Sequence, residues 1–223
     1  MTTTPAIAAQ QSNDRKWLVL LAIGVGTFMS ALDGSVVNTI LPVVARDFQT
    51  DVATIEWVVT IYLLVVSGLL LSFGRLGDLR GHKPVYLTGF TIFIAGSALC
   101  GLAQSPLMLI GSRAIQALGG AMLFANSPAI LTKSFPATER GRALGLQATM
   151  TYLGLTVGPS LGGWLTDQLS WRAVFYINVP VGLLALWLSW RFIPKDAPAE
   201  GAEKFDRAGA VFFMAGLIAL FWG

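Results

Sequence analysis

The sequence predicts an all-helical membrane protein, a six-helix transmembrane bundle with the start of a seventh helix. Three observations predict it. The 223-residue chain is 54% hydrophobic and 12% charged, with a mean hydropathy of +0.66, whereas soluble domains carry about 25% charged residues. Apolar spans recur at about 17–44, 55–73, 84–103, 107–131, 143–165 and 173–190, and another begins near 208. Spans near the roughly 20 residues a bilayer requires are helices, because helices satisfy their own backbone polar groups in lipid. The connections are short and hold breakers: Gly81 to Pro84, Gln104-Ser105-Pro106 and Pro136.

Residues 1–16 are polar and lack the basic start of a signal peptide, and the run that follows is far longer than a signal's apolar core. They read as a tail, and the first span as a retained helix. That span, Trp17 to Val44, holds one charged residue, Asp33, in 28 positions. An ionisable group at such depth is costly and usually faces a bundle interior or a water-filled cavity. Two readings are open: a structural carboxylate paired with a neighbouring helix, or a proton or cation site in a transporter.

Between the second and third spans lies GRLGDLRGHK, Gly74 to Lys83. Gly74 and Gly77 permit close helix approach, and Gly81 a tight reversal. Asp78, among Arg75, Arg80 and Lys83, can accept charge-assisted hydrogen bonds or sit against a helix N-terminus. The cluster suits either a latch of ion pairs or a solvated loop that fixes topology. His82, a lone histidine expected to be exposed, reads as a surface turn residue rather than a pH sensor.

The fourth span opens with Ser105 and Pro106, a suitable N-cap followed by proline at the first helical position. Arg113 is the one basic residue deep inside a span. At 1.5 Å per residue, Arg113 lies about 9 Å and Asp33 about 16 Å below the outer ends of their helices, within reach of each other. Gln116 and Gly120 share the Arg113 face. Burial favours a neutral acid and a neighbouring guanidinium favours the carboxylate. A site between these influences can load and release a proton as hydration changes; a snorkelling or interhelical arginine is the alternative.

In the fifth span, Gly154, Gly158 and Gly162 stand four residues apart, a small-residue stripe for close helix contact, and Pro159 removes a backbone donor. The sixth span follows at 173–190. Then PKDAPAEGAEKFDR, residues 194–207, packs seven charges and two prolines into fourteen positions and reads as a linker. The run at 208–223 is a marginal span, and the chain is expected to be the front part of a longer protein.

Charge assigns the sides. Twelve of the fifteen basic residues fall on alternate connections; the opposite set holds only Arg46 and Arg172, and Arg113 lies within a span. The positive-inside rule therefore places the N-terminus in the cytoplasm, with the bundle in the plasma or inner membrane. The net charge of +3 comes from these short clusters, so no nucleic-acid face is expected. Cys100 is the sole cysteine, which rules out an intrachain disulfide framework. No nucleotide-binding loop is present, so ATP is not the energy source within this chain.

Three of these segments carry a resemblance to a known family. GRLGDLRGHK resembles the loop signature G-x-L-a-D-r-x-G-r-k of the major facilitator superfamily, with Gly74, Leu76, Asp78, Gly81 and Lys83 on its positions; Leu79 and His82 depart from it. RAIQALGGA, from Arg113, resembles the helix-four motif R-x-x-q-G-x-g-a-a, with Ala117 in place of glycine. GLTVGPSLGG matches g-x-x-x-G-P-x-x-G-G, the helix-five pattern of that superfamily's exporters, through Gly154, Gly158, Pro159, Gly162 and Gly163. LDGSVVNTILP, which carries Asp33, Asn38 and Pro42, WRAVFYINVPVG and FDRAGAVFF are similar to the fourteen-helix drug:proton antiporter branch.

The resemblance implies two inverted three-helix repeats and export of drugs or other amphipathic small molecules in exchange for protons. It implies proton coupling through Asp33 and Arg113, and a cytoplasmic gate at Gly74, Asp78, Arg80, Gly81 and Lys83. Asn38, Gln116, Asn126 and Tyr152 are generic polar candidates for the cavity wall. The expected partners are a small-molecule substrate, protons, the lipid bilayer and a C-terminal half, with no cofactor, no metal and no enzymatic activity. Transport of another cargo such as a sugar, peptide or metabolite, or a truncated half without transport, stays open.

Overall fold

A computed structural model describes residues 5–196 and Gly216, with side chains from Arg15 onward. The helices are α1 (Pro5–Asp47), α2 (Val52–Arg80), α3 (His82–Gly101), α4 (Pro106–Ser134), α5 (Arg140–Gln168), α6 (Ala173–Tyr176) and α7 (Asn178–Phe192). α1 begins twelve residues before Trp17, so much of the expected tail is helix; residues 5–16 contain good helix formers and no internal breaker. The sixth span is divided at Ile177 into α6 and α7, just ahead of Pro180, which lacks an amide donor. Beyond residue 196, the rest of the expected linker and the seventh span lie outside the described residues, apart from the helical position Gly216.

The turns follow from local chemistry. Asp51 caps α2 by accepting from the Thr54 amide at 3.3 Å, and hydrogen bonding to Thr54, chiefly through its side chain and then through this amide, holds the Asp51 carboxyl below the usual carboxylate range. Ser105 caps α4, accepting from the Met108 amide at 3.2 Å with Pro106 at the first helical position. One residue, Gly81, separates α2 from α3, and its φ of 90° lies where glycine is favoured.

Among the described residues, five spans are long and apolar enough to cross a membrane: Arg15–Asp47, Val52–Arg80, His82–Gly101, Pro106–Ser134 and Ala173–Phe192. α5 has 29 residues, about 43 Å and ample for a bilayer, but its glycine, threonine and glutamine content keeps it outside that set. Three of its glycines, Gly154, Gly158 and Gly162, serve packing instead. α1 packs most extensively along α5, and α2 along α4; a two-fold relating the first three helices to the last three would interchange these pairings. α3 also lies along α4, and α7 against α1 and α3.

In lipid there is little hydrophobic drive between helices, so close approach and polar bonds hold them together. A Cβ on Gly154 would come within 2.6 Å of the Phe28 carbonyl, and one on Gly158 or Gly162 would overlap Ser35 or Val36 of α1. Gly163 meets nothing within 4 Å, and Pro159 is exposed. The core buries Tyr86, Phe90, Phe93 and Phe175 completely. The outer face of α7 instead presents Leu183, Leu184, Trp187 and Trp190, an apolar surface suited to lipid.

Candidate functional site

Asp33 is fully buried and Arg113 is 1% exposed. α1 carries the carboxylate and α4 the guanidinium, whose Nη1 donates to Asp33 Oδ2 at 2.7 Å. The same nitrogen donates to Gln116 Oε1 at 2.6 Å, and Nε donates to the Val58 carbonyl of α2 at 3.3 Å. The Tyr62 ring lies beneath the guanidinium, 4.2 Å from centroid to Cζ. The other carboxylate oxygen, Oδ1, accepts from Gln116 Nε2 at 2.9 Å and from Asn178 Nδ2 of α7 at 2.7 Å. Gln116 is held in turn by Ser97 of α3, its Nε2 donating to Oγ at 2.7 Å.

Four of the six spans thus fix one ion pair through side chains, and α2 does so through a carbonyl and a ring. A pair taken out of water is tolerated only when its remaining hydrogen-bonding groups are met, and here both carboxylate oxygens are met by donors. The close approach of α3 to α4 makes this compact: a Cβ on Gly96 would come within 2.6 Å of the Gln116 backbone. Chemically, the arrangement encloses an acid and a guanidinium inside an apolar bundle, with three donors from α4 and α7 aimed at the two oxygens of the acid.

The second polar cluster lies where α2 turns into α3. Asp78 approaches Arg75 at 4.0 Å and His82 Nε2 at 3.5 Å. Arg80 is exposed, while the Lys83 ammonium donates to the carbonyls of Trp190 at 2.9 Å and Ile193 at 2.5 Å. The expectation of an exposed His82 is corrected: it is 3% exposed. The one-residue reversal at Gly81 folds it back over Gly77, where any Cβ would overlap both His82 and Asn126. His82 Nδ1 shares a hydrogen bond with Asn126 Oδ1 at 2.8 Å. Gly74 is less confined, with Ala125 4.0 Å from a Cβ.

Asp196, beyond α7, seals this end. It accepts from the amides of His82 at 2.7 Å and Lys83 at 3.1 Å, and from Lys133 Nζ at 3.3 Å. Burial pushes its carboxyl up, but these amides and the lysine together hold it below the usual carboxylate range. Lys16 pairs with Glu139 at the same end of the bundle. At the opposite end, Arg172 donates to Asp47 at 3.1 Å and to the Ala103 carbonyl at 3.1 Å.

The four polar cavity candidates divide. Gln116 and Asn126 are buried and bonded inside the bundle, whereas Asn38 and Tyr152 are exposed on α1 and α5. Between those two helices lies a hollow of about 500 Å3, walled by Trp17, Leu20, Phe28, Leu146, Met150 and neighbours. Among the described residues, no cluster of histidine, cysteine and carboxylate groups could hold a metal ion. The sequence reading missed Tyr62, Ser97, Asn178 and Asp196. Asn178 could have been found, as an amide within an apolar run; Asp196 had no signal, being one charge among several.

Residues 23–223 match the model of the family described as Major Facilitator Superfamily. The chain is 41% identical over 199 residues to the riboflavin transporter RibZ of Clostridioides difficile (strain 630), covering 89% of this chain and 44% of that protein. It is 38% identical to the multidrug resistance protein Stp of Mycobacterium tuberculosis, covering 93% of this chain and 39% of that protein. It is 36% identical to the tetracenomycin C resistance and export protein of Streptomyces glaucescens, covering 94% and 39%. The chain spans less than half the length of these curated relatives.

Proposed function

The chain belongs to the major facilitator superfamily, and on that premise we propose that it forms the first half of a proton-coupled antiporter exporting drugs or other amphipathic compounds. The observation that carries this reading is the enclosed Asp33–Arg113 pair, a titratable acid with no contact to water. An acid held this way binds a proton only when its donors move apart, which ties protonation to helix arrangement. Asp33 is the proton carrier and Arg113 its modulator. Gly74, Asp78, Arg80, Gly81 and Lys83 form the gate at the basic end of the bundle, with Arg75 and His82 beside Asp78, and this is the cytoplasmic end in the plasma or inner membrane.

Export is supported by the glycine stripe of α5, which seats that helix directly on α1, and by relatives named for drug resistance and antibiotic export. The apolar hollow between α1 and α5 suits lipophilic molecules. The working unit pairs this bundle with a second one, since sites in such folds lie between halves. Everted membrane vesicles test the reading. Asp33→Asn should reach the membrane at the normal level yet lose proton release driven by exported drug; efflux at the normal rate in that variant would remove Asp33 from the mechanism.

A second reading keeps the fold and changes the cargo, and the relative named as a riboflavin transporter favours it. Uptake or efflux of riboflavin in the same vesicles, against a lipophilic dye, separates the two.

A further inference from the structure

We infer that Asn178, the first residue of α7, is a positioning residue whose hydrogen bond is the one displaced when Asp33 takes up a proton, so that the sixth span is the first to respond. This rests on the reading of Asp33 as the proton carrier.

The asymmetry of the carboxylate supports it. Oδ2 is held by the Arg113 guanidinium at 2.7 Å, whereas Oδ1 accepts two neutral amides, Gln116 at 2.9 Å and Asn178 at 2.7 Å. A carboxylate only accepts, but its protonated form must donate through its O–H. A proton on Oδ1 therefore forces one amide to withdraw or to turn its carbonyl inward. Gln116 is pinned: Oε1 accepts from Arg113 at 2.6 Å and from Cys100 Sγ at 3.7 Å, and Nε2 reaches Ser97 at 2.7 Å. Asn178 is not, since its side chain bonds only Asp33 among the described residues. It is 1% exposed and directly follows the interruption at Ile177, where the sixth span is already divided.

The groups around Asp33 are Arg113 and Gln116 from α4, Tyr62 from α2, Ser97 and Cys100 from α3, and Asn178 from α7. Arg113 is the one cation among them, and Tyr62 and Cys100 are the other titratable neighbours. Removing the Asn178 donor leaves the charged carboxylate one hydrogen bond short. A hydrogen bond to a charged group corresponds to a roughly ten- to hundredfold change in proton affinity, about one to two pH units.

The test is an infrared pH titration of the purified protein in lipid, following the carboxylic acid band that Asp33→Asn removes. Asn178→Leu keeps the side-chain size without its polar atoms. Its band should titrate about one to two pH units more alkaline than in the wild type. A midpoint unchanged in Asn178→Leu overturns the inference and leaves the proton-carrier reading intact, because a merely structural residue would not move it. If no titrating band in the wild type is lost in Asp33→Asn, the proton-carrier reading fails and this inference with it. Should Asn178→Leu not reach the membrane, Asn178→Thr, too short to keep the 2.7 Å bond, is scored on the same criterion.

Discussion

Two aspartate–arginine pairs start from the same helix and end in opposite situations. Asp33 and Arg113 meet at 2.7 Å with side chains 0% and 1% exposed; Asp47 and Arg172 meet at 3.1 Å with side chains 45% and 34% exposed. The outer pair keeps water on both partners, and Arg172 also stacks on Trp171 at 4.2 Å and bonds the Ala103 carbonyl. It joins the end of α1 to the approach of α6, and screening limits what it adds. The inner pair has no water to fall back on. Identical chemistry is thus a solvated fastener at the surface and an enclosed pair in the interior, where the proposed proton switch sits, and the difference between them is burial.

The strongest way to break this comparison is to unpair each arginine. Arg113→Met leaves a buried carboxylate with its charge uncompensated, which should cost about 3–5 kcal/mol of stability. Adding Asp33→Leu to the same protein removes the stranded charge, and apolar replacements of whole buried pairs are often neutral. The double variant should therefore recover most of the loss in a thermal unfolding series in detergent, while remaining unable to exchange protons. A double variant as unstable as Arg113→Met would mean that the cost lies in lost packing against Tyr62 rather than in charge.

A smaller effect sharpens the comparison by moving α1 rather than its charges. The Gly158 contact to Ser35 lies two positions along α1 from Asp33. Gly158→Leu forces α1 and α5 apart there, a strain of about 1–3 kcal/mol or more, and should impair transport far beyond Leu155→Phe on the exposed face of α5. Equal transport rates for the two variants in vesicles would reduce the stripe to tolerant packing. The outer pair, fourteen residues along α1, should keep its contact in both.

Much of this was legible in the sequence, and unevenly so. Asp33 and Arg113 stood out because a charge inside an apolar span is costly enough to be rare, and helix rise placed both at similar depth. The glycine stripe was legible because its spacing matches one helix face. His82 was misread because exposure was inferred from its place in a charged turn, and only the φ of Gly81 sends it inward. Asn178 and Ser97 went unnoticed because single neutral polar groups are common in such spans, and their partners lie 145 and 19 residues away. α5 crosses with less apolar character than its neighbours because tight packing on α1 needs glycine there more than it needs leucine.

The smallest effect belongs to the outer pair. Arg172→Ala removes an ion pair that solvent already weakens, worth roughly 0.2–1 kcal/mol, together with the ring contact on Trp171. Trp171 keeps its own bond to Asp47 at 2.9 Å, so the carboxylate is not left without a donor. Raising salt should shrink the difference between Arg172→Ala and the wild type, since the screening length falls from about 10 Å at 0.1 M to about 3 Å at 1 M, the scale of the exposed contact itself. The penalty of Arg113→Met should not change with salt, because ions do not reach a pair with 0% and 1% exposure. Unfolding measured at low and high salt reads both at once. A salt-sensitive Arg113→Met penalty would show that water enters the bundle at Asp33, and the contrast between fastener and switch would then rest on geometry instead of burial.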